Sequence, residues 1–238
     1  MEQREAERIM AEQTTAMPEL RAVQCRSMVV TGDPFDGILR AAAAIEAELV
    51  VMGAHRKQLL RDIFVGTTIE RVIRTGPFPV LMVNNEAQQR YQKVLAAVDL
   101  SEPSANALRV AHAVGLMNEA QTTILHAFLP SGKGKLFVGD ADKASIESYV
   151  AGERQRAMDE LAAYLLANDL GHHRWPLRLE EGGAIYAISR ATDEMRADLL
   201  IMGTHGRSAV LKALIGSVTE EALRTLNVDI LAVPPNRR

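Results

Sequence analysis

Cysteine is nearly absent: Cys25 stands alone in 238 residues. That excludes an intramolecular disulfide framework, a CxxC redox pair and a thiolate zinc cluster. Its surroundings, Ala22-Val23-Gln24-Cys25, lean apolar and suggest a small buried or half-buried residue. Aromatics are scarce at 4%, too few for a surface that stacks successive bases. No sign of charge dominates: a net charge of −3 offers no electrostatic attraction to nucleic acid or to an anionic membrane. Uncharged runs of membrane-spanning length are missing, and the first eight residues, Met1 to Arg8, are too charged for a signal core. By exclusion the expected compartment is the cytoplasm.

What is present is a core made of Ala, Val, Leu, Ile and Met, with 47% of residues hydrophobic. This composition suits buried parallel strands covered by helices. The organisation shows in an internal repeat at an offset of 150 residues. Leu49-Val50-Val51-Met52-Gly53-Ala54-His55 returns as Leu199-Leu200-Ile201-Met202-Gly203-Thr204-His205. Gly66-Thr67 returns as Gly216-Ser217, Arg74-Thr75 as Arg224-Thr225, and Val80–Val83 as Ile230–Val233. Two copies of one unit explain this better than coincidence.

The second copy, residues 91–235, reads as alternating strands and helices. Strands are expected at 94–98, 122–127, 174–179, 199–202 and 228–233. Helices are expected at 104–116, 144–168, 184–194 and 218–226, the first opening at Ser101-Glu102-Pro103. Continuously apolar strands separated by helices imply an α/β domain with an open, doubly wound parallel sheet. The first copy, residues 1–86, is partial. Its helix would end near residue 20, its third strand would be Val23 to Val30, and its next helix 35–47. Nothing supplies its first two strands, so Val23–Val30 loses its neighbour and must rearrange or pair elsewhere, unless the recorded start lies inside a longer gene. Asn84 to Gln92 is the expected junction.

The glycines carry the chemistry. Gly203 and Gly206 follow an apolar strand directly, at the carboxyl end where open α/β sheets bind ligands. Lacking a Cβ, they let backbone amides close on anionic oxygens. Gly216 and Ser217 precede a helix whose first N–H groups and dipole favour negative charge. No GxxxxGK[ST] occurs, which disfavours a P-loop NTPase, and the glycines come too late for a Rossmann fingerprint.

In these residues the sequence resembles the universal stress protein family, whose ATP-binding members carry Gly-x2-Gly-x9-Gly-(Ser/Thr). Gly203, Gly206, Gly216 and Ser217 match that pattern in full. The resemblance implies a five-stranded sheet of order 3-2-1-4-5. It also implies an acidic residue after the first strand, matched by Asp99 in Ala97-Val98-Asp99, which would accept from ribose or lie by adenine. Ala127 would line the adenine slot, Met202 would back the nucleotide, and the Val218 amide would join the phosphate contacts. The implied ligand is ATP, with Mg²⁺ as a potential companion through Asp99 and water. Arg207 and Lys212 are candidates to neutralise phosphate, with a solvated positive face as the alternative. The first copy departs at Arg56, which replaces the second glycine, and is expected not to bind.

Other residues lead to blander readings. His55 and His205 lack an evident carboxylate partner, so a hydrogen-bonding role is preferred to general-base catalysis. His172-His173 has no nearby companions for a metal and reads as a solvated turn. Asp140 and Asp142 lack the calcium-loop pattern. No catalytic residue is assigned. The expected function is an ATP-binding, tandem-type stress or regulatory module with an unidentified protein partner. A slow ATPase or self-phosphorylating enzyme, and a pure interaction module, are the alternatives. The family's fifth strand pairs across dimers, so Val80–Val83 and Ile230–Val233 are expected to pair within the chain or between two copies.

Overall fold

The computed structural model describes residues 2–53, 68–85, 90–132, 142–206 and 215–236. Readings that concern Ala54 to Thr67 (Arg56 among them), Gly139, Asp140, Arg207 and Lys212 lie outside these residues. The chain packs as two compact units, 1–47 and 48–238.

The first unit contains α1 (Glu2–Ala16), a 3₁₀ turn (Pro18–Ala22) and α2 (Pro34–Ala44). Asp33 caps α2 by accepting from the Phe35 amide at 3.0 Å, and Pro34 occupies the first turn, where its missing N–H costs nothing. Val23 to Val30 is not a strand. An extended segment needs a ladder partner, and none of the described sheet pairs with it. The expectation for Cys25 is also corrected, because the residue is exposed. It shares that exposure with Val23, Met28 and Val30.

The second unit is an α/β fold around one mixed seven-stranded sheet. Its elements are β1 (Val50–Gly53), α3 (Thr68–Thr75), β2 (Val80–Val83), β3 (Lys93–Ala97), α4 (Glu102–Ala113), β4 (Gln121–Phe128) and α5 (Lys143–Ala167). They continue with β5 (Leu177–Glu181), α6 (Ala184–Met195), β6 (Leu199–Gly203), α7 (Ser217–Thr225) and β7 (Asp229–Val233). The sheet order is β1-β2-β7-β6-β3-β4-β5. From β7 to β5 all neighbours are parallel. The strand expected at 174–179 starts three residues later, because Arg174, which closes a 3₁₀ turn (Gly171–His173), is left-handed at φ +51° and not extended.

Side chains alternate across this sheet, as the pleat requires. Val94, Ala96, Leu199, Ile201 and Leu231 pack with Leu108 and Ala111 of α4 and Leu161 of α5 in one buried cluster. The opposite face is covered by α6, against β3 and β4, and by α7, which touches α6. Every residue of β7 is buried, and four of five in β6. β1 is the counterpart of β6 but has β2 on one side only, and Val51 is 59% exposed.

The two copies meet by antiparallel pairing of β2 with β7. Leu81 faces Leu231, its own counterpart at the offset of 150, while Val80 faces Ala232 and Met82 faces Ile230. The register is therefore self-complementary, the geometry of a two-fold interface realised inside one chain. Both ladder edges are closed at once. The connection from β2 to β3 is tied down by buried Asp229. Its Oδ1 accepts from the amides of Asn84 (2.8 Å) and Asn85 (3.1 Å), and its Oδ2 from the Tyr91 hydroxyl (2.8 Å). Burial, followed by this carboxylate, pushes the Tyr91 phenol well above its ordinary value.

His172 and His173 are more than a solvated turn. The His173 ring stacks on Trp175 at 4.2 Å and meets His112, at the end of α4, at 4.7 Å. Desolvation first, then the neighbouring His172 and His112, lowers its pKa. Among the described residues no group of His, Cys, Asp or Glu is arranged to hold a metal, and no helix is long and apolar enough to cross a membrane.

Two outcomes follow from these contacts. Tyr91→Phe, which strips one donor from a buried carboxylate, should lower stability by about 1.5–3 kcal/mol in urea denaturation. An unchanged midpoint would show that this tie contributes nothing. For His173, a folded pKa below the unfolded value means that the unfolded chain binds more protons just below pH ~6.5. The His173 contribution is thus present above pH ~6.5 and lost as the pH falls through the folded pKa. His173→Phe should flatten that part of the stability–pH curve.

Candidate functional site

β3 is the strand at which the winding reverses, with β4 on one side and β6 on the other. Chains leaving adjacent strands toward opposite faces open a crevice at the carboxyl ends. A cavity of about 290 Å³ lies there. Ala97, Val98 and Asp99 enter it from the end of β3, and Ala127 from β4. Met202, Gly203 and Gly206 enter from β6 and its loop, and Gly216, Ser217 and Val218 from the start of α7. Residues 97 to 218, scattered in sequence, thus share one cavity; Arg207 is outside the described residues.

Backbone and side-chain bonds lace the two glycine segments together. The Thr204 amide donates to Val233 O at 2.8 Å, and the Gly216 amide donates to Thr204 O at 2.8 Å. From α7, the buried Thr219 hydroxyl donates to Gly203 O at 2.9 Å. Gly216 is the residue before α7, and the Glu220 amide is the first to donate back to its carbonyl, at 3.0 Å. The amides of Ser217, Val218 and Thr219 precede that bond and so have no acceptor within the helix. Ser217, Val218 and Thr219 line the same cavity, at the positive end of the helix dipole.

A side chain at either glycine would be crowded. A Cβ on Gly206 would lie 2.7 Å from Asp99 Oδ2, and one on Gly203 would lie 3.1 Å from Pro103 O. Gly53, the first-copy counterpart of Gly203, would meet nothing within 4 Å among the described residues. The close approach in the second copy comes from the first turn of α4, and β1 has no such element beside it among the described residues.

Asp99 is held in place from its own turn. Its Oδ1 accepts from the Ser101 amide at 3.1 Å and from the Ser101 hydroxyl, and Leu100 between them has φ +62°. Ser101 also caps α4. Tyr164 of α5 braces this turn by donating to Ser101 O at 2.9 Å, with its hydroxyl also 2.8 Å from Ser104 Oγ. Burial drives the Tyr164 pKa up to about 12, so it remains a neutral donor.

Several lining residues were not singled out from sequence. His126 is an ordinary strand residue by pattern, yet its Nδ1 lies 2.8 Å from Val98 O and its ring borders the cavity. Ala184 and Ile188 of α6, and Ser104 of α4, also line it. The helical spacing of Ala184 and Ile188 marks a buried face, but carries no sign that this face meets a cavity. His205 lines the cavity with Nδ1 2.8 Å from Thr204 Oγ1, and desolvation lowers its pKa.

A doubly wound sheet with a glycine-bracketed crevice at its switch point defines the class. The family follows from comparison: the model of the Universal stress protein family matches residues 1–84 and 90–234, and the chain belongs to that family. It is 24% identical over 209 residues to Universal stress protein E of Escherichia coli K12, covering 86% of this chain and 66% of that protein. The chain thus spans about two thirds of that relative. A Staphylococcus aureus USA300 protein assigned to the universal stress proteins is 30% identical over 144 residues, covering 60% of this chain and 84% of its own. The crystal structure of a universal stress protein from Archaeoglobus fulgidus shares the fold, with a TM-score of 0.64 at 20% identity over 98% of this chain and 77% of that one.

The contrast between the glycines is testable. Gly203→Ala should cost about 1–3 kcal/mol by pressing on the Pro103 backbone. Gly53→Ala should be neutral or stabilising by about 0.4–1 kcal/mol, through the unfolded chain alone. Equal shifts in chemical denaturation would contradict the difference in packing.

Proposed function

We propose that this chain is an ATP-binding regulatory module of tandem type, built from copies at 1–86 and 91–235, with one competent site in the second copy. The observation that carries the reading is the convergence of three features on one cavity: a side-chain-free turn at Gly206, the unfilled amides at the start of α7, and Asp99 opposite. Donors without acceptors beside a helix N-terminus favour anionic oxygens. A carboxylate across the cleft favours hydroxyls or an exocyclic amine. An apolar wall of Val98, Ala127, Ile188 and Met202 suits a flat base.

At about 290 Å³ the cavity is at the small end for such ligands. Base and ribose would fill it, and the phosphates, with any accompanying Mg²⁺, would run over Gly206 toward Ser217 and Val218. Among the described residues no nucleophile and base are paired in this arrangement, and the proposed action is conformational. ATP would tie the Gly206 turn to α7 and change the surface that a regulatory partner meets, in the cytoplasm. The self-complementary β2–β7 pairing supports an intrachain pseudo-dimer as the tandem arrangement.

Calorimetric titration with ATP tests this, using the intact chain beside Gly206→Arg, which imports the residue at position 56. The expected result is saturable binding to the parent protein and at least about a tenfold loss in the variant, because the new side chain must displace Asp99 and cover the amides. Equal affinity in the two proteins would contradict the site.

A further inference from the structure

We infer that Tyr164 is a positioning residue of this cavity. It acts through Ser101 to hold the Asp99 carboxylate where the hydroxyls or amine of a nucleotide would meet it. The inference rests on the ATP reading above and gives a part in binding to α5, a helix from which no described residue lines the cavity.

The turn that carries Asp99 is held by its surroundings. Leu100 stands in the left-handed region at φ +62°, where its Cβ crowds the backbone. A residue with a side chain stays there only if its neighbours overdetermine the conformation. Part of that support is local: the Ser101 amide, at 3.1 Å, and the Ser101 hydroxyl donate to Asp99 Oδ1. Tyr164, 63 residues further along the chain, adds a bond from another helix by donating to Ser101 O at 2.9 Å. Its hydroxyl also lies 2.8 Å from Ser104 Oγ, and Ser104 is buried and lines the cavity. Burial drives the Tyr164 pKa up to about 12, so the proton of this bond stays in place at neutral pH.

The carboxylate has little room to move. Oδ1 is engaged by Ser101, and Oδ2 lies so near Gly206 that an added Cβ there would stand 2.7 Å from it. A shift of Ser101 therefore carries Asp99 toward or away from the glycine turn. Hydrogen bonds weaken steeply as their angle departs from the optimum, so a small displacement is read as affinity. Loss of the Tyr164 hydroxyl would leave α4 itself intact. The Ala105 amide still donates to Ser101 O at 3.2 Å, and Ser101 Oγ still accepts from the Ser104 amide. The aromatic ring, packed against the core, is kept in phenylalanine.

A double-mutant cycle read by calorimetric ATP titration tests this, using the full chain, Tyr164→Phe, Asp99→Ala and the two changes together. Tyr164→Phe alone should lose about three- to tenfold in ATP affinity. In the Asp99→Ala background the same change should cost less than about twofold, since no carboxylate is left to position. In the ligand-free chain, the ¹³C signal of the Asp99 carboxylate should move on Tyr164→Phe, a measurement that needs no nucleotide. Full ATP affinity in Tyr164→Phe, or an Asp99 signal that stays in place, would overturn the inference and leave the ATP reading intact. Equal losses in both backgrounds would mark Tyr164 as merely structural and overturn it too. A parent protein that takes up no ATP would remove the ATP reading itself.

Discussion

The architecture depends on β3 lying between β4 and β6. A strand with parallel neighbours on both sides, reached by crossovers of one hand, sends its connections to opposite faces of the sheet. α4 covers one face and α6 the other, and the space between their starts has no backbone to fill it. The cavity, the position of Asp99 and the approach of Pro103 to Gly203 all follow from that reversal. The first copy shows the converse. Among the described residues β1 has β2 but no strand in the place of β3, and Gly53 lacks the tight contact that Gly203 makes with Pro103.

Cavity geometry is inseparable from structural bonding here. The bonds that join Gly203 to Thr219 and Thr204 to both Gly216 and Val233 are ordinary satisfaction of buried polar groups. They also set where the unfilled donors stand. Ser101 likewise caps α4 and holds Asp99, and Tyr164 braces that turn from across the helix pair. Rigid support of this kind keeps a site poised without a ligand to organise it. Membership in the universal stress protein family gives these features a common frame.

The degenerate copy retains a structural use. β2 extends the sheet past β7, and the Leu81–Leu231 centre makes the join equivalent from either side. An exposed β7 would present a largely apolar edge, Ile230 to Val233, which invites pairing with other chains. Covering it inside the chain removes that hazard at high effective concentration. The Asp229 cluster then fixes the connection between the copies.

By itself, the sequence determined the periodicities, the repeat and the glycine spacing. Hydrophobic runs and capping residues are local signals, so the strands and helices of the second copy were legible to within a few residues. The fold gathers Ala97, Val98, Asp99, Ala127, Met202, Gly203, Gly206, Gly216, Ser217 and Val218, all named from the glycine spacing and the family resemblance, around one cavity. Tertiary structure decided what depends on a partner. Val23–Val30 has strand-like composition, but without a ladder neighbour its composition could not make it one. Cys25, apolar by its neighbours in sequence, is exposed. Of the two pairings open to β2 and β7, the intrachain one forms. His126 and Ile188 carry no mark in sequence, since a cavity wall is defined by what lies across the gap rather than by what is adjacent in the chain.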